Sequence, residues 1–188
     1  MKREKTGYVS EIFRGIQGEG VFAGASQVFV RFAGCNLKCR WCDTKRSRRR
    51  SRFFTVRTAE GKILKKTNPA TVAEVVSSVK LLAQGARGAQ VSITGGEPLM
   101  QADFLRNLLR TLRKAGYGTY LETNGSMPAQ FAKVACLADV VAMDFKLPGS
   151  AGIEKLWGRH ASFLRAASAC RVFVKAVVSQ KTPAKEVE

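Results

Sequence analysis

The sequence has 188 residues and is 45% hydrophobic, values typical of one soluble globular domain, so we predict a single domain over residues 1–188. It has no apolar run near the roughly 18 residues that a membrane span needs and no apolar secretory segment at its start, so we expect a cytoplasmic protein without a membrane partner. Lysine and arginine total 32 against 14 aspartates and glutamates, and the net charge of +18 predicts an acidic partner or an anionic substrate.

A period-two alternation of apolar residues predicts the first strand at 27–32, which ends near Gly34. The run at 45–52 reads KRSRRRSR and has no apolar periodicity. Because its like charges repel one another, we predict an exposed excursion as far as about Asn68, with one hairpin in it.

Thr71 and Glu74 have the spacing of a helical capping box, and valine and leucine then recur at helical spacing, which predicts a helix that follows Thr71 and stops near Gly85. Strands and helices alternate from there on. The predicted strands are 90–94, 118–122, 139–145 and 171–178, and the predicted helices are 101–114, 128–137 and 153–169. This alternation predicts an α/β fold with a parallel sheet.

Three of the five cysteines lie close together after the first predicted strand, at Cys35, Cys39 and Cys42. The clustering and the odd total favour a metal or redox site over a disulfide framework. Three thiolates can hold three irons of a cubane 4Fe-4S cluster and leave the fourth iron open to another molecule. A structural zinc site is the alternative, although it normally needs four ligands and the only histidine, His160, is distant in sequence. Cys136 and Cys170 lie among alanines and apolar residues on predicted helices, and we assign them no role.

Three further segments begin where a predicted parallel strand ends, which is where α/β folds bind their ligands. They read TGGEP from Thr94, ETNG from Glu122 and DFKLP from Asp144. The paired glycines of the first allow a ligand to approach the backbone, and Glu97 could accept a hydrogen bond from an ammonium group. The second could bind ribose hydroxyls, and Asp144 or Lys146 could reach the same cavity. Each segment also has an ordinary explanation as a turn or a helix cap.

The cysteine segment CNLKCRWCDT, together with TGGEP, resembles the radical S-adenosylmethionine superfamily. Before it, SEIFRGIQGEGVFAGASQVFVRFAGCN is similar to the opening of the 7-carboxy-7-deazaguanine synthases, and ETNG and DFKLP follow in the matching order. The resemblance covers nearly the whole chain. It implies a partial β/α barrel of parallel strands with its ligands at the carboxyl-end opening, and a homodimer.

In that family the reaction converts 6-carboxy-5,6,7,8-tetrahydropterin to 7-carboxy-7-deazaguanine with loss of ammonia, in the biosynthesis of queuosine and related 7-deazapurines. The resemblance therefore implies a lyase that uses a 4Fe-4S cluster, S-adenosylmethionine and Mg²⁺. One electron from the cluster would cleave S-adenosylmethionine, and the resulting 5′-deoxyadenosyl radical would take a hydrogen atom from the pterin.

The resemblance also implies roles for individual residues. The cluster would be held by the catalytic cysteines Cys35, Cys39 and Cys42, and Mg²⁺ by Thr44. The pterin would contact Ile16, Gln17, Gly18 and Thr94, and its carboxylate would pair with Arg31. S-adenosylmethionine would contact Trp41, Cys42, Asp43, Gly96, Asp144, Phe145 and Lys146.

Two features depart from the family. Its members usually continue beyond Val178 into a segment that closes the active site, which raises the question of a truncated C-terminus. The Arg-rich run at 45–52 is either a solvated loop or a docking face for an acidic electron donor such as flavodoxin.

Two other functions remain in competition at this point. A glycyl-radical activase shares the CxxxCxxC spacing but acts on a protein, and the IQGEG segment and Arg31 argue against it. A basic nucleic-acid-binding module with a structural metal would fit the charge of +18. About four irons and four sulfides per chain would exclude that module, and we do not expect nucleic acid as a partner.

Overall fold

A mostly parallel sheet of eight strands organises the protein, whose computed structural model describes residues 6–84 and 88–187. The strands are β1 (Thr6–Gly7), β2 (Val9–Ile16), β3 (Ser26–Phe32), β4 (Phe53–Arg57), β5 (Ile63–Thr67), β6 (Ala70–Thr71), β7 (Gln90–Gly95), β8 (Gly118–Thr123), β9 (Val140–Phe145) and β10 (Val172–Ala176). Their order in the sheet is β10-β9-β8-β7-β3-β2-β4-β5, and β1 pairs with β6 separately.

The strand directions match an open partial barrel. Each neighbouring pair from β3 through β7, β8, β9 and β10 is parallel, whereas β2 is antiparallel to β3, and β5 is antiparallel to β4. Within residues 6–84 and 88–187, no pairing joins β10 to β5, so the sheet does not close. The predicted α/β fold with a partial barrel is confirmed, with antiparallel additions at one side.

Five α-helices accompany the sheet within residues 6–84 and 88–187. They are α1 (Val72–Ala83), α2 (Ala102–Lys114), α3 (Pro128–Phe131), α4 (Pro148–Ala151) and α5 (Trp157–Ala166). The predicted capping box is confirmed, because Thr71 Oγ1 accepts from the Glu74 N–H at 3.2 Å and the Glu74 carboxylate accepts from the Thr71 N–H at 2.7 Å. The predicted stop at Gly85 lies outside the described residues. None of the helices described here has the length and apolar character that crossing a bilayer requires.

Two predicted helices are much shorter than their sequence patterns indicated. The helix predicted at 128–137 is the single turn α3, followed by a 3₁₀ turn at Ala135–Leu137. The chain bends there and buries Phe131 against Phe163 of α5, with ring centroids 4.3 Å apart, so packing overrides helix propensity. The helix predicted at 153–169 begins only at Trp157, and a separate short helix, α4, precedes it and ends at Gly152 in the left-handed conformation with φ of 67°.

The predicted excursion at 45–68 contains the expected hairpin but is not free of the fold. β4 and β5 form the hairpin, and β4 also pairs in parallel with β2, which buries Phe54 and Val56. The Arg-rich run contains a 3₁₀ helix, Lys45–Arg48, whose Ser47 is buried. Neither the pairing of β4 with β2 nor the burial of Ser47 could be anticipated from local sequence, because both depend on segments that are distant along the chain.

The two faces of the sheet have different characters. The outer face packs apolar residues against the helices, among them Val28, Val30, Phe32, Val91, Ile93 and Leu121. The inner face carries polar side chains at the alternate positions, among them Arg31, Thr94, Glu122 and Asp144. A small aromatic cluster closes the inner face at one end, where the Phe22 ring meets the Tyr120 ring edge-on at 5.6 Å.

Candidate active site

A cavity of about 710 Å³ lies on the inner face of the sheet. Phe13 of β2 and Lys175 of β10 both line it, so the sheet curls around the cavity. The predicted site residues in its wall are Ile16, Gln17, Gly18, Arg31, Cys35, Cys39, Trp41, Cys42, Asp43, Thr44, Thr94, Gly96, Asp144 and Lys146. The fold thus gathers segments that are more than 100 residues apart into one site.

The three clustered cysteines form one wall of this cavity as free thiols. Burial raises the pKa of both Cys35 and Cys39, and the nearby Lys146 ammonium partly offsets this at Cys39. The other cysteines lie elsewhere: Cys136 is exposed, and the Cys170 thiol donates to the Ala135 carbonyl at 3.6 Å. Metal binding at Cys35 or Cys39 would therefore have to displace a proton from a thiol whose pKa is raised by burial.

The cysteine loop fits a 4Fe-4S cluster better than a single metal ion. Among the described residues, no three histidine, cysteine, aspartate or glutamate side chains are arranged to hold one metal ion. In a cubane cluster each thiolate binds a different iron, so the three thiols need to line a common space rather than meet at a point. They do line a common space.

A close backbone contact joins the cysteine loop to the turn that follows β7. The Glu97 N–H donates to the Gly34 carbonyl at 2.8 Å. A Cβ atom at Gly96 would lie 2.1 Å from the Gly34 oxygen and 3.0 Å from Cys35 Cβ, so only glycine permits this contact. The glycine pair therefore serves to seat the turn against the cysteine loop.

Glu97 has a different role from the one its motif suggested. Its side chain is fully buried, and its carboxylate accepts from the Leu99 N–H at 2.9 Å, the Thr123 hydroxyl at 2.9 Å and the Asn124 N–H at 2.8 Å. Burial raises its pKa to about 6 despite these hydrogen bonds. The predicted contact with an ammonium group is wrong, because the carboxylate is occupied by the protein and does not line the cavity.

Glu122 organises the polar side of the cavity. Its carboxylate accepts from Gln17 Nε2 at 3.0 Å and from Thr94 Oγ1 at 2.8 Å. On β3, which lies two strands from Glu122 in the sheet, Arg31 Nε donates to the Glu11 carboxylate at 2.8 Å. This ion pair engages only Nε, and the two terminal guanidinium nitrogens of Arg31 have no hydrogen-bond partner among the described residues. Arg31 is therefore oriented by one carboxylate and free to bind another.

Lys146 links the turn after β9 to the cysteine loop. Its ammonium pairs with the Asp144 carboxylate at 2.5 Å and lies 4.2 Å from the centroid of the Trp41 ring. The Trp41 indole N–H donates to Ser150 Oγ of α4 at 3.4 Å, and the Arg40 N–H donates to the Ala151 carbonyl at 2.7 Å. These contacts hold Trp41 and Asp144 in the same wall of the cavity.

Comparison with known proteins assigns the family. Residues 29–180 match the model of the Radical SAM superfamily. A 7-carboxy-7-deazaguanine synthase of Geobacter sulfurreducens is 38% identical over 177 residues, which are 93% of this chain and 70% of the relative. One of Methanopyrus kandleri is 39% identical over 176 residues, 90% of this chain and 69% of the relative. The chain belongs to the 7-carboxy-7-deazaguanine synthase family.

The fold of this 7-carboxy-7-deazaguanine synthase family member also has a solved counterpart. The crystal structure of QueE from Escherichia coli superposes with a TM-score of 0.55 and covers 92% of this chain and 84% of that one. The identity is 21%, so this likeness concerns the fold alone. The family match confirms the resemblance found in the sequence, and it goes against both the glycyl-radical activase and the nucleic-acid module.

One residue of the predicted 7-carboxy-7-deazaguanine synthase site does not line the cavity. Phe145 lies between Asp144 and Lys146, and its ring packs against His160, with centroids 4.4 Å apart, and against Trp157 at 5.7 Å. Successive side chains of a strand point to opposite faces, so the two charged neighbours take the inner face and Phe145 takes the outer one. The Phe145 side chain therefore faces away from the cavity, and the predicted contact of this position with the cofactor stays a prediction.

Several residues in the wall were not assigned roles from the motifs of the 7-carboxy-7-deazaguanine synthase family. Lys175 pairs with Glu19; burial alone would lower the Lys175 pKa, but Glu122 and Glu19 raise it. The Phe13 and Phe29 rings stack at 5.0 Å and form an apolar surface of the cavity. Lys175 lies opposite Asp144 in the register of β10 beside β9, and no local sequence pattern encodes that register.

Proposed function

We propose that this chain converts 6-carboxy-5,6,7,8-tetrahydropterin to 7-carboxy-7-deazaguanine with loss of ammonia, as a step in 7-deazapurine biosynthesis. The observation that carries the proposal is the single cavity in which the cysteine loop, the TGGE turn, the Asp144–Lys146 turn and Arg31 meet. Membership of the 7-carboxy-7-deazaguanine synthase family supplies the reaction, and the cavity supplies a place for both the pterin and its cofactors.

The cofactors of the proposed reaction have a consistent set of candidate ligands. Cys35, Cys39 and Cys42 would hold the 4Fe-4S cluster, as membership of the radical SAM superfamily implies. S-adenosylmethionine would contact Trp41, Cys42 and Asp43 on one side. Gly96 would lie at its methionyl end, and Asp144 and Lys146 on its far side. When bound, these two cofactors supply the one-electron chemistry that removes a hydrogen atom from the substrate.

Protein side chains would bind and orient the pterin. The free guanidinium nitrogens of Arg31 suit the substrate carboxylate, because a guanidinium can bind a carboxylate through two parallel hydrogen bonds. Gln17 and Thr94 are fixed by Glu122 and present polar groups to a ring next to Ile16 and Gly18. The stacked Phe13 and Phe29 rings offer the apolar surface on which a flat heterocycle packs.

Mg²⁺ is part of the proposal, with Thr44 as its protein ligand. The Thr44 hydroxyl lines the cavity and lies 3.8 Å from Cys42 Sγ. A hydroxyl oxygen suits a hard cation, whose remaining positions would be filled by water and substrate oxygens. Thr44→Val should raise the Mg²⁺ concentration needed for half-maximal turnover, whereas Thr44→Ser, which keeps the hydroxyl, should not.

The remaining parts of the proposal concern assembly and location. We propose a single domain that acts as a homodimer in the cytoplasm and receives electrons from a donor protein such as flavodoxin. Size-exclusion chromatography with light scattering tests the dimer: a mass near twice the 20.5 kDa of one chain supports it, and a mass of one chain contradicts it.

The decisive experiment is anaerobic reconstitution with iron and sulfide, followed by S-adenosylmethionine, dithionite, Mg²⁺ and the carboxytetrahydropterin. Mass spectrometry should detect 7-carboxy-7-deazaguanine. Cys42→Ala should bind less iron and form neither the product nor 5′-deoxyadenosine, whereas Cys136→Ala, an exposed cysteine outside the cavity, should behave as the unchanged protein. Formation of 5′-deoxyadenosine without the product would contradict the proposed substrate and leave only superfamily chemistry.

A further inference from the structure

The loop that joins β2 to β3, residues 17–24, forms the floor of the active-site cavity, and we call it the floor loop. It precedes β3 and so lies at the amino ends of the parallel strands, whereas the cysteine loop follows the carboxyl end of β3. The Gly24 N–H donates to the Gln17 carbonyl at 2.8 Å and closes the base of the loop. The residues of this loop that line the cavity are Gln17, Gly18, Glu19 and Gly20.

The floor loop packs against alternate residues along β10, beginning with the residue before that strand. The centroid of the Phe22 ring lies 5.2 Å from Arg171 Cζ. Gly20 lies directly against the Phe173 ring, because a Cβ atom at this position would be 2.2 Å from a ring carbon. Only glycine permits this contact, and its φ of 64° is in the left-handed region. Since side chains of a strand alternate between faces, one face of β10 receives the loop.

The third contact along this face of β10 is an ion pair. Lys175, two residues after Phe173, pairs with Glu19 of the floor loop. The Lys175 side chain is the more enclosed partner, with 22% of its surface exposed against 60% for Glu19. Burial alone would lower the Lys175 pKa, but Glu122 and Glu19 raise it, so its ammonium faces carboxylates of both the sheet and the loop. An enclosed cation therefore fixes a carboxylate that water would otherwise surround.

The position of Glu19 determines the orientation of the Gln17 side chain. The Glu19 N–H donates to Gln17 Oε1 at 3.1 Å, and Gln17 Nε2 donates to the Glu122 carboxylate at 3.0 Å. The amide group of Gln17 is thus held between the floor loop on its oxygen side and β8 on its nitrogen side. A displacement of Glu19 removes the first of these hydrogen bonds and frees the amide to rotate.

We propose that Lys175 is a positioning residue for the pterin: by pairing with Glu19, it holds the floor loop, and with it Gln17, in the arrangement that binds the substrate. This inference rests on the proposed function, because the floor loop matters to the pterin only if Gln17 and Gly18 contact it. Lys175 acts through Glu19 and does not need to touch the substrate.

The first test measures kinetics of the reconstituted full-length chain with dithionite. Glu19→Gln and Lys175→Met each remove the ion pair and keep a side chain of similar length. Each should raise the KM for the pterin about threefold, as expected for a partly exposed ion pair, whereas Glu19→Gln should leave kcat and the KM for S-adenosylmethionine within about twofold. Lys175→Arg keeps the charge and should restore most of the affinity. The exposed Glu60→Gln, between β4 and β5, is the matched control and should behave as the unchanged protein.

Combining the two substitutions shows whether they act through one contact. Glu19→Gln together with Lys175→Met should raise the KM for the pterin no more than the stronger single variant, because both remove the same ion pair. A KM increase equal to the product of the two single effects would mean that the residues act independently and would overturn the proposal.

Hydrogen exchange separates this inference from the proposed function. In the substrate-free reconstituted protein, the amides of residues 17–24 should exchange about threefold faster in both single variants, while those of α2 should be unchanged. This measurement needs no substrate. Absence of pterin product in every protein, including the unchanged one, would therefore contradict the proposed function, while hydrogen exchange would still decide whether Lys175 holds the floor loop.

Three further results would overturn the role of Lys175. They are an unchanged KM for the pterin in Glu19→Gln, an equal rise in its KM for S-adenosylmethionine, and unchanged exchange of the floor loop. If Lys175→Met does not fold, Glu19→Gln changes the more exposed partner and provides both the kinetic and the exchange measurement on its own.

Discussion

Glu97 accepts a hydrogen bond from the Asn124 N–H at 2.8 Å, which ties the turn after β7 to the turn after β8. The same carboxylate also accepts from the Thr123 hydroxyl and the Leu99 N–H. Both turns border the proposed cofactor site, although Glu97 itself does not line it. A fully buried carboxylate thus acts on the site by fixing the backbone around it.

Glu97→Gln should destabilise the protein. An amide group cannot accept the hydrogen bonds of both carboxylate oxygens, so at least one buried N–H loses its partner, which costs about 1–3 kcal/mol of unfolding free energy. Urea denaturation near neutral pH measures this difference. The exposed Glu154→Gln is the matched control and should leave the midpoint unchanged. An equal midpoint for Glu97→Gln would mean that the turns are held by other contacts.

The Glu97 carboxyl should also make stability depend on pH. Its pKa in the folded protein is about 6, above its ordinary value of 4.5, so the folded state favours the protonated form. Below pH 4.5 the carboxyl is protonated in both the folded and the unfolded protein. Above pH 6 it must ionise while buried in the folded protein, so the free energy of unfolding falls as pH rises from 4.5 to 6. The advantage of the unchanged protein over Glu97→Gln should shrink by about 2 kcal/mol across it. Urea titrations of both proteins at several pH values measure the change, and an advantage that grows with pH would contradict the sign.

Arg31→Gln should mainly impair the use of the pterin. Loss of the two free guanidinium nitrogens removes charge-assisted hydrogen bonds to the substrate carboxylate, so kcat/KM should fall by about 100-fold, or about 3 kcal/mol. Steady-state kinetics with dithionite give this value. Arg14→Gln is the control, since Arg14 bonds Ser26 and Gln84 in an exposed position. If kcat/KM of Arg31→Gln equals that of the unchanged protein, the substrate carboxylate does not bind to Arg31.

Gly96→Ala should be far more harmful than an alanine at another glycine. Its Cβ would lie 2.1 Å from the Gly34 oxygen, so the TGGE turn must move away from the cysteine loop. We expect lower iron incorporation and a lower melting temperature. Gly158→Ala in α5 meets no atom within 4 Å and should stabilise the helix by roughly 0.5–1 kcal/mol. Thermal melts and iron assays of both variants distinguish these effects, and normal iron content in Gly96→Ala would contradict the close contact.

Local sequence patterns predicted the parts of the fold that depend on local physics. The alternation at 27–32 and the Thr71 capping box were confirmed because one face of a strand must be apolar and a helix start needs acceptors for its N–H groups. The strand β2 was not predicted, and its pairing with both β3 and β4 decides where Glu11 meets Arg31. That ion pair depends on a register between strands, which no local pattern encodes.

The site was predictable to the extent that its residues belong to motifs. The cysteines were found from their spacing, the glycine pair from its place after a predicted strand and Arg31 through family resemblance, and the cavity contains them. The structural role of Glu97 and the outward direction of Phe145 needed three-dimensional packing, because a motif records a position in the chain but not the face to which a side chain turns. Lys175 belongs to no motif and enters the site only through the pairing of β10 with β9.

Arg31, Thr94 and Glu122 are neighbours on three adjacent strands, with Arg31 opposite Thr94 in the ladder and Thr94 bonded to Glu122. Their spacing is thus set by the interval of about 4.8 Å between hydrogen-bonded strands. The connections between these strands can lengthen or shorten without moving the three side chains relative to one another. The proposed substrate recognition is therefore insulated from changes in loop length, and a two-residue slip of one strand would disturb it more than a change in the length of a connecting loop.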